Sequence, residues 1–127
     1  MSMIGALKLK AQLLCDHEIA MGPGKADLLE AIDREGSISA AGRALGMSYR
    51  RTWLLVDAMN RCWTQPVVEA TAGGGQKSGA RLTGSGRTVL AAYRALEARL
   101  AEAAAGEPLE TLEALLRPTP LEPRHGG

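Results

Sequence analysis

Between Ala6 and Cys15 apolar and polar positions alternate, with Leu7, Leu9, Ala11, Leu13 and Cys15 set against Lys8, Lys10 and Gln12. That period of two predicts a half-buried β-strand. Gly22-Pro23-Gly24 breaks the chain, after which Lys25 to Glu35 places Leu28, Leu29 and Ile32 on one helical face. Gly36 follows as a suitable C-terminal cap. Ser37-Ile38-Ser39 offers an N-cap with an apolar neighbour for a short helix whose inward positions are Ala41, Gly42 and Leu45, ended by Gly46. Ser48 can cap a further helix, Tyr49 to Cys62, with Trp53, Val56, Met59 and Asn60 at helical spacing. Trp53 reads as a core residue because it shares that spacing. Two helices meeting at so tight a glycine turn predict a helix-turn-helix.

After Pro66, Val67 to Thr71 and Ala80 to Thr83 read as paired strands around a glycine-rich tip, Gly73 to Gly79, which makes a hairpin in the position of a wing. From Ser85 to Ala105 the chain is Ala-rich and uninterrupted. Val89, Tyr93, Leu96, Leu100 and Ala103 recur there at steps of four and three, the seam of a helix that packs on a partner helix. Gly106-Glu107-Pro108 interrupts it, a short segment with Leu109, Leu112, Leu115 and Leu116 follows, and Pro118, Pro120 and Pro123 predict an extended tail. The expected division is residues 1–106 as one domain, including the long helix, and 107–127 as a short helical segment and proline-rich tail. The expected fold class is mainly α with a small β component: a winged helix-turn-helix with an N-terminal strand and a long C-terminal dimerisation helix.

Composition narrows this further. Of 127 residues 46% are hydrophobic, yet only 3% are aromatic and none is Phe, so the core draws on Leu, Ala, Val, Ile and Met, which suits packed helices better than a β-sandwich. No apolar run has the length that crosses a bilayer, and Lys8 and Lys10 interrupt the apolar N-terminus, so a cytoplasmic protein with no membrane partner is expected. Cys15 and Cys62 form neither a disulfide framework nor a metal knuckle and read as reduced thiols; with only His17 and His125 besides, a metal or nucleophilic site has few candidates. Cys15-Asp16-His17-Glu18 reads as a strand end and polar turn rather than a ligand set, since adjacent donors cannot wrap one ion unaided.

Charge is unevenly spread. Residues 1–42 carry a net −2, residues 43–99 a net +6 and residues 100–127 a net −3, so the middle of the chain is where a polyanion would bind. The head of the Tyr49 helix carries Ser48, Tyr49, Arg50, Arg51 and Thr52, side chains able to meet base edges and phosphates, and its N-terminus adds attraction for anions. Lys77, Ser78 and Arg81 on the hairpin would reach phosphates. Gly73 to Ser78 is not a nucleotide-binding loop, because Gln76 stands where that motif needs Gly before its Lys. No nucleophile stands with a base in an evident pocket motif, so no enzyme is expected. The partners expected are double-stranded DNA and a second copy of the chain. The alternative is a protein-interaction or architectural module with weak or non-specific DNA binding.

The run Ser37-Ile-Ser-Ala-Ala-Gly-Arg-Ala-Leu-Gly-Met-Ser-Tyr-Arg-Arg-Thr-Trp, with Met59-Asn60 and the glycine-rich hairpin ending in Leu82-Thr83, resembles the N-terminal DNA-binding domain of ModE-type molybdate-responsive transcriptional regulators, a winged helix-turn-helix related to the LysR-type domain. The likeness covers about residues 4 to 105. It implies a homodimeric regulator in which the Ser48 to Thr52 region reads DNA and the hairpin touches the backbone. Regulators of that family bind their effector in C-terminal domains, for which the residues after Gly106 are too few, so no cofactor is expected and any effector would act through a separate partner protein or an interface site. Gly42 stands where the motif usually has Ala, implying that the helix capped by Ser37 is weakened by roughly 0.5–1 kcal/mol without a change of fold.

Overall fold

The computed structural model describes residues 2–71 and 79–124. Within them lie five helices and six short strands. The N-terminal alternation does not form one strand. It is shared between β2 (Leu7–Leu9), which turns back on β1 (Ser2–Ile4), and β3 (Leu13–Cys15), which turns forward onto β4 (Glu18–Met21). Each hairpin closes through a two-residue turn, Gly5-Ala6 and Asp16-His17, whose first residue has positive φ. Such turns match the twist of the flanking strands. A period of two fixes which side chains share a face but not which neighbour a strand takes, so the alternation runs on through a change of partner.

The helices follow their signals more closely. α1 (Pro23–Glu35) begins at Pro23, two residues before the expected Lys25, because proline suits the first helical position; it ends at Gly36 with φ near 77°. α2 (Ile38–Ala44) is capped by Ser37, whose side chain accepts from Ala40 N at 3.0 Å. α3 (Tyr49–Cys62) is capped by Ser48, which accepts from Arg51 N at 3.1 Å. β5 (Val68–Thr71) and β6 (Gly79–Leu82) pair in the third sheet, and α4 (Gly84–Ala104) and α5 (Glu107–Leu115) complete the chain. The three sheets have two strands each and share none.

The expected fold class is therefore corrected. A winged helix-turn-helix with a single N-terminal strand does not describe six antiparallel strands in three sheets with five helices. β1 and β4, of three and four residues, lie outside every expected strand, because so short a pattern cannot be counted along the sequence.

The core lies between α1, α2, α3 and the β5–β6 hairpin, with Met21, Leu28, Leu29, Ile32, Met59 and Val67 fully buried. Polar side chains fix the elements around it. Tyr93 of α4 donates its hydroxyl proton to Ala11 O at 2.7 Å, Trp63 Nε1 donates to Ala20 O at 3.1 Å, and Thr83 Oγ1 donates to Pro66 O at 2.6 Å. Arg94 binds Asp27 and Glu30 of α1 and Glu97 of its own helix, tying α4 along α1. Desolvation opposes the charge on Arg94, but hydrogen bonds to these carboxylates raise its pKa on balance. The expected boundary near residue 106 is bridged, since Glu113 of α5 accepts from Ala6 N at 2.7 Å.

Candidate nucleic-acid interface

Placement of α3 begins with a glycine. A Cβ on Gly42 would overlap Thr52 Oγ1, so the absence of a side chain lets α2 and α3 touch backbone to side chain. Gly42 is thus a packing requirement rather than the weak point expected. Thr52 is fully buried at this contact and donates its hydroxyl to Ser48 O at 2.7 Å. It belongs to the helix junction and does not face a ligand.

On the other side of α3, Ser48, Tyr49, Arg50 and Arg51 are exposed, Tyr49 by 65%. Trp53, expected in the core, is 43% exposed and packs edge-on against Tyr49 with ring centroids 6.1 Å apart. Val56 and Met59 face inward as expected. The helical stripe is real, but Trp53 sits at its margin, where a large ring is half covered.

Charge pairing sharpens the surface. Arg61 binds Asp57 and Glu18, Arg81 binds Glu69 at 2.8 Å, Arg87 binds Asp33 at 3.0 Å, and Arg94 is held by three carboxylates. Most of the basic excess counted in the sequence is neutralised by acids of the N-terminal segment. Arg43, Arg50 and Arg51, all exposed, make no ion pair with any described carboxylate. They cluster where α2 ends and α3 begins. Nearby, burial lowers the pKa of Lys25, with the charges of Glu18 and Cys62 opposing that shift and Arg51 adding to it.

Asn60 was placed on the helix by its spacing but given no role. Its Oδ1 accepts from Val67 N at 2.8 Å and Val68 N at 3.1 Å, and its Nδ2 donates to Val68 O at 3.1 Å. One side chain therefore fixes the hairpin against α3. An Asn among apolar residues near a helix end was the only signal in the sequence. Arg81 stands on that hairpin, whereas Lys77, Ser78 and the glycine tip lie outside the described residues.

The expected seam on α4 divides. Tyr93 is buried inside its own chain and Val89 packs partly on the core, while Leu96 and Leu100 are each 40% exposed and Ala103 is exposed. Leu96, Val89 and Tyr93 join Leu13, Met21 and Trp63 around an apolar groove of about 330 Å³.

A second cavity, of about 200 Å³, lies beneath Tyr49 and Trp53 and is lined by Ser37, Ser39, Asn60 and Glu69, with no Lys or Arg. Asn60 and the Ser37 hydroxyl are already engaged. Among the described residues no three His, Cys, Asp or Glu side chains gather into a metal site. No described helix is long and apolar enough to cross a membrane.

No family model matches the chain. It is 40% identical over 94 residues to the molybdenum transport protein ModE of Azotobacter vinelandii, covering 72% of this chain and 35% of that protein. It is 49% identical over 82 residues to the molybdenum-pterin-binding protein MopB of Rhodobacter capsulatus, covering 65% and 30%. Over 87 residues it is 33% identical to the DNA-binding transcriptional dual regulator ModE of Escherichia coli K12, covering 68% and 31%. The chain spans about a third of the length of these relatives.

Two expectations are corrected by these relatives, which carry the names of regulators and of binding or transport proteins rather than of enzymes. The resemblance to the N-terminal DNA-binding domain of ModE-type regulators, separated from any molybdate-binding part, does not stand, because molybdenum-pterin-binding proteins match as well as the regulators do. With it falls the expectation that no cofactor belongs here. That expectation rested on counting residues after Gly106, and a residue count says nothing about what the matched region itself does. A molybdate dianion does not fit either cavity described above: one is apolar, and the other sets Glu69 against the anion with no cation beside it.

Proposed function

We propose that this chain acts in molybdenum-linked regulation by binding duplex DNA as a homodimer, with the head of α3 in the major groove. The observation that carries the reading is the unpaired cluster Arg43, Arg50 and Arg51 at the α2–α3 junction, in a protein whose other central arginines are mostly neutralised. Ser48 completes the first turn of α3, so the helix N-terminus and both arginines present donors and positive charge to one surface. Arg50 and Arg51 are suited to guanine edges, and Tyr49 and Ser48 to phosphates. Buried packing of Thr52 against Gly42 holds that surface rigid, which limits the entropy lost on binding.

Arg81 flanks it from the hairpin. Its bond to Glu69 is exposed on both sides, so a phosphate can compete for the guanidinium at small cost. Exposed Leu96 and Leu100 beside the apolar groove support pairing of two copies through α4. Two copies so joined would set their α3 helices about 34 Å apart, one turn of duplex.

The test is selection of bound sequences from a random duplex pool at physiological salt, with and without added molybdate. Enrichment of a two-fold symmetric motif with half-sites about one helical turn apart is expected. Enrichment of nothing overturns the DNA reading and moves the function to the apolar groove and a protein partner. An effect of molybdate on the selected affinity supports effector action on this chain; an unchanged affinity overturns it.

A further inference from the structure

We propose that Cys15 and Cys62 form a reversible intramolecular disulfide that ties the end of α3 to the β3–β4 hairpin. Cys15 is the last residue of β3 and pairs across the hairpin with Glu18. The Glu18 carboxylate accepts from Arg61 Nη2 at 3.3 Å, and Trp63 Nε1 donates to Ala20 O on the same hairpin. Cys62, between Arg61 and Trp63, is thus held over β4 by a contact on each side, with Cys15 on the paired strand opposite Glu18. Both thiols are free, and Cys15 is among the neighbours that raise the Cys62 pKa. No third ligand completes a metal site among the described residues.

The chemistry divides by exposure. Cys15 is exposed and meets the oxidant first, while Cys62 is half-buried and its pKa is raised, chiefly by desolvation and then by the Cys15 thiol. A peroxide supplies the oxidising equivalents. The Cys15 sulfur attacks one peroxide oxygen, the O–O bond breaks, and water leaves with Cys15 as a sulfenic acid. The Cys62 sulfur then attacks the Cys15 sulfur, the S–O bond breaks, and the departing hydroxide takes the Cys62 proton as a second water. Two thiols and one peroxide give one disulfide and two waters. With the Cys15 sulfur exposed, such a disulfide is open to reduction by other thiols, as a regulatory bond must be. Leu13 of β3 and Trp63 beside Cys62 line the apolar groove, so the bond would hold two of its walls together.

Hydrogen peroxide added to the full chain in equimolar amount, followed by mass spectrometry without reductant, tests this. The expected result is a monomeric product lighter by about 2 Da, mapping to a Cys15–Cys62 crosslink and reversed by dithiothreitol. Cys15→Ser and Cys62→Ser should each abolish the loss of mass, and the oxidised wild type should exchange its α3 C-terminal amides more slowly. Crosslinked dimers alone, or added oxygen on the cysteines without a crosslink, would overturn the proposal.

Discussion

Replacing Gly42 by Ala should destabilise the protein, although helix propensity taken alone favours the change by roughly 0.5–1 kcal/mol. The added Cβ would overlap Thr52 Oγ1 and lie 3.1 Å from Thr52 Cβ and 3.2 Å from Cγ2. Thr52 is fully buried, and its hydroxyl is bonded to Ser48 O at 2.7 Å, so it has no free direction in which to rotate. Overpacking of such a contact costs about 1–3 kcal/mol, and loss of the Thr52 hydrogen bond adds about 1 kcal/mol. The net expectation is a destabilisation of about 1–3 kcal/mol, read as a fall in Tm of roughly 3–6 °C per kcal/mol in thermal unfolding followed by circular dichroism. In a Thr52→Ala background the same substitution should cost less, because the hydroxyl and methyl it strikes are gone. A rise in Tm for Gly42→Ala, or an equal cost in both backgrounds, would refute the packing argument.

Further expectations follow from other contacts. Arg50→Ala and Arg51→Ala should each weaken the selected DNA site by about 1–3 kcal/mol and relax base preference, whereas Lys77→Ala should weaken all duplexes alike in anisotropy titrations. Asn60→Ala removes both acceptor and donor for the Val67–Val68 backbone and should cost about 2–3 kcal/mol in urea unfolding, with the hairpin amides exchanging faster. Leu96→Glu, at an exposed seam position, should convert a dimer to a monomer in sedimentation while leaving the core packed. Tyr93 has its pKa pushed up to about 12 by burial, and secondarily by the Glu97 charge. The unfolded chain releases that proton near pH 10, before the folded one does, so stability from Tyr93 is present below pH 10 and lost as pH rises toward 12. Alkaline unfolding of Tyr93→Phe should lack that fall relative to wild type.

Much of the helical framework was legible along the chain. Caps and periodicity located α3 from Tyr49 to Cys62 and the Ser37 and Ser48 caps, because these signals act within one turn. The candidate site was legible only in part. Arg50 and Arg51 stand exposed where their helix position suggested, but Thr52 and Trp53 exchanged places: the small polar residue is buried and the large ring half exposed. Local spacing gives the angle around a helix, not the depth of the neighbour it meets. The N-terminal hairpins show the same limit, since one alternation served two strands with different partners.

By itself, then, the sequence determined where helices start and stop, a chain built on aliphatic packing, and a basic excess between residues 43 and 99. Tertiary structure decided which of those charges remain available. Ion pairs of Arg61, Arg87 and Arg94 with acids from the N-terminal segment take up much of the excess and, among the described residues, leave Arg43, Arg50 and Arg51 at the α2–α3 junction and Arg99 on α4 outside any ion pair. It also decided that Gly42 is a contact rather than a flaw, and that Asn60 joins a helix to a hairpin. The physical reason is common to all three. Caps and periodicity depend on neighbours within a few residues, whereas neutralisation, close approach and side-chain bridging depend on residues that only folding brings within a few ångströms.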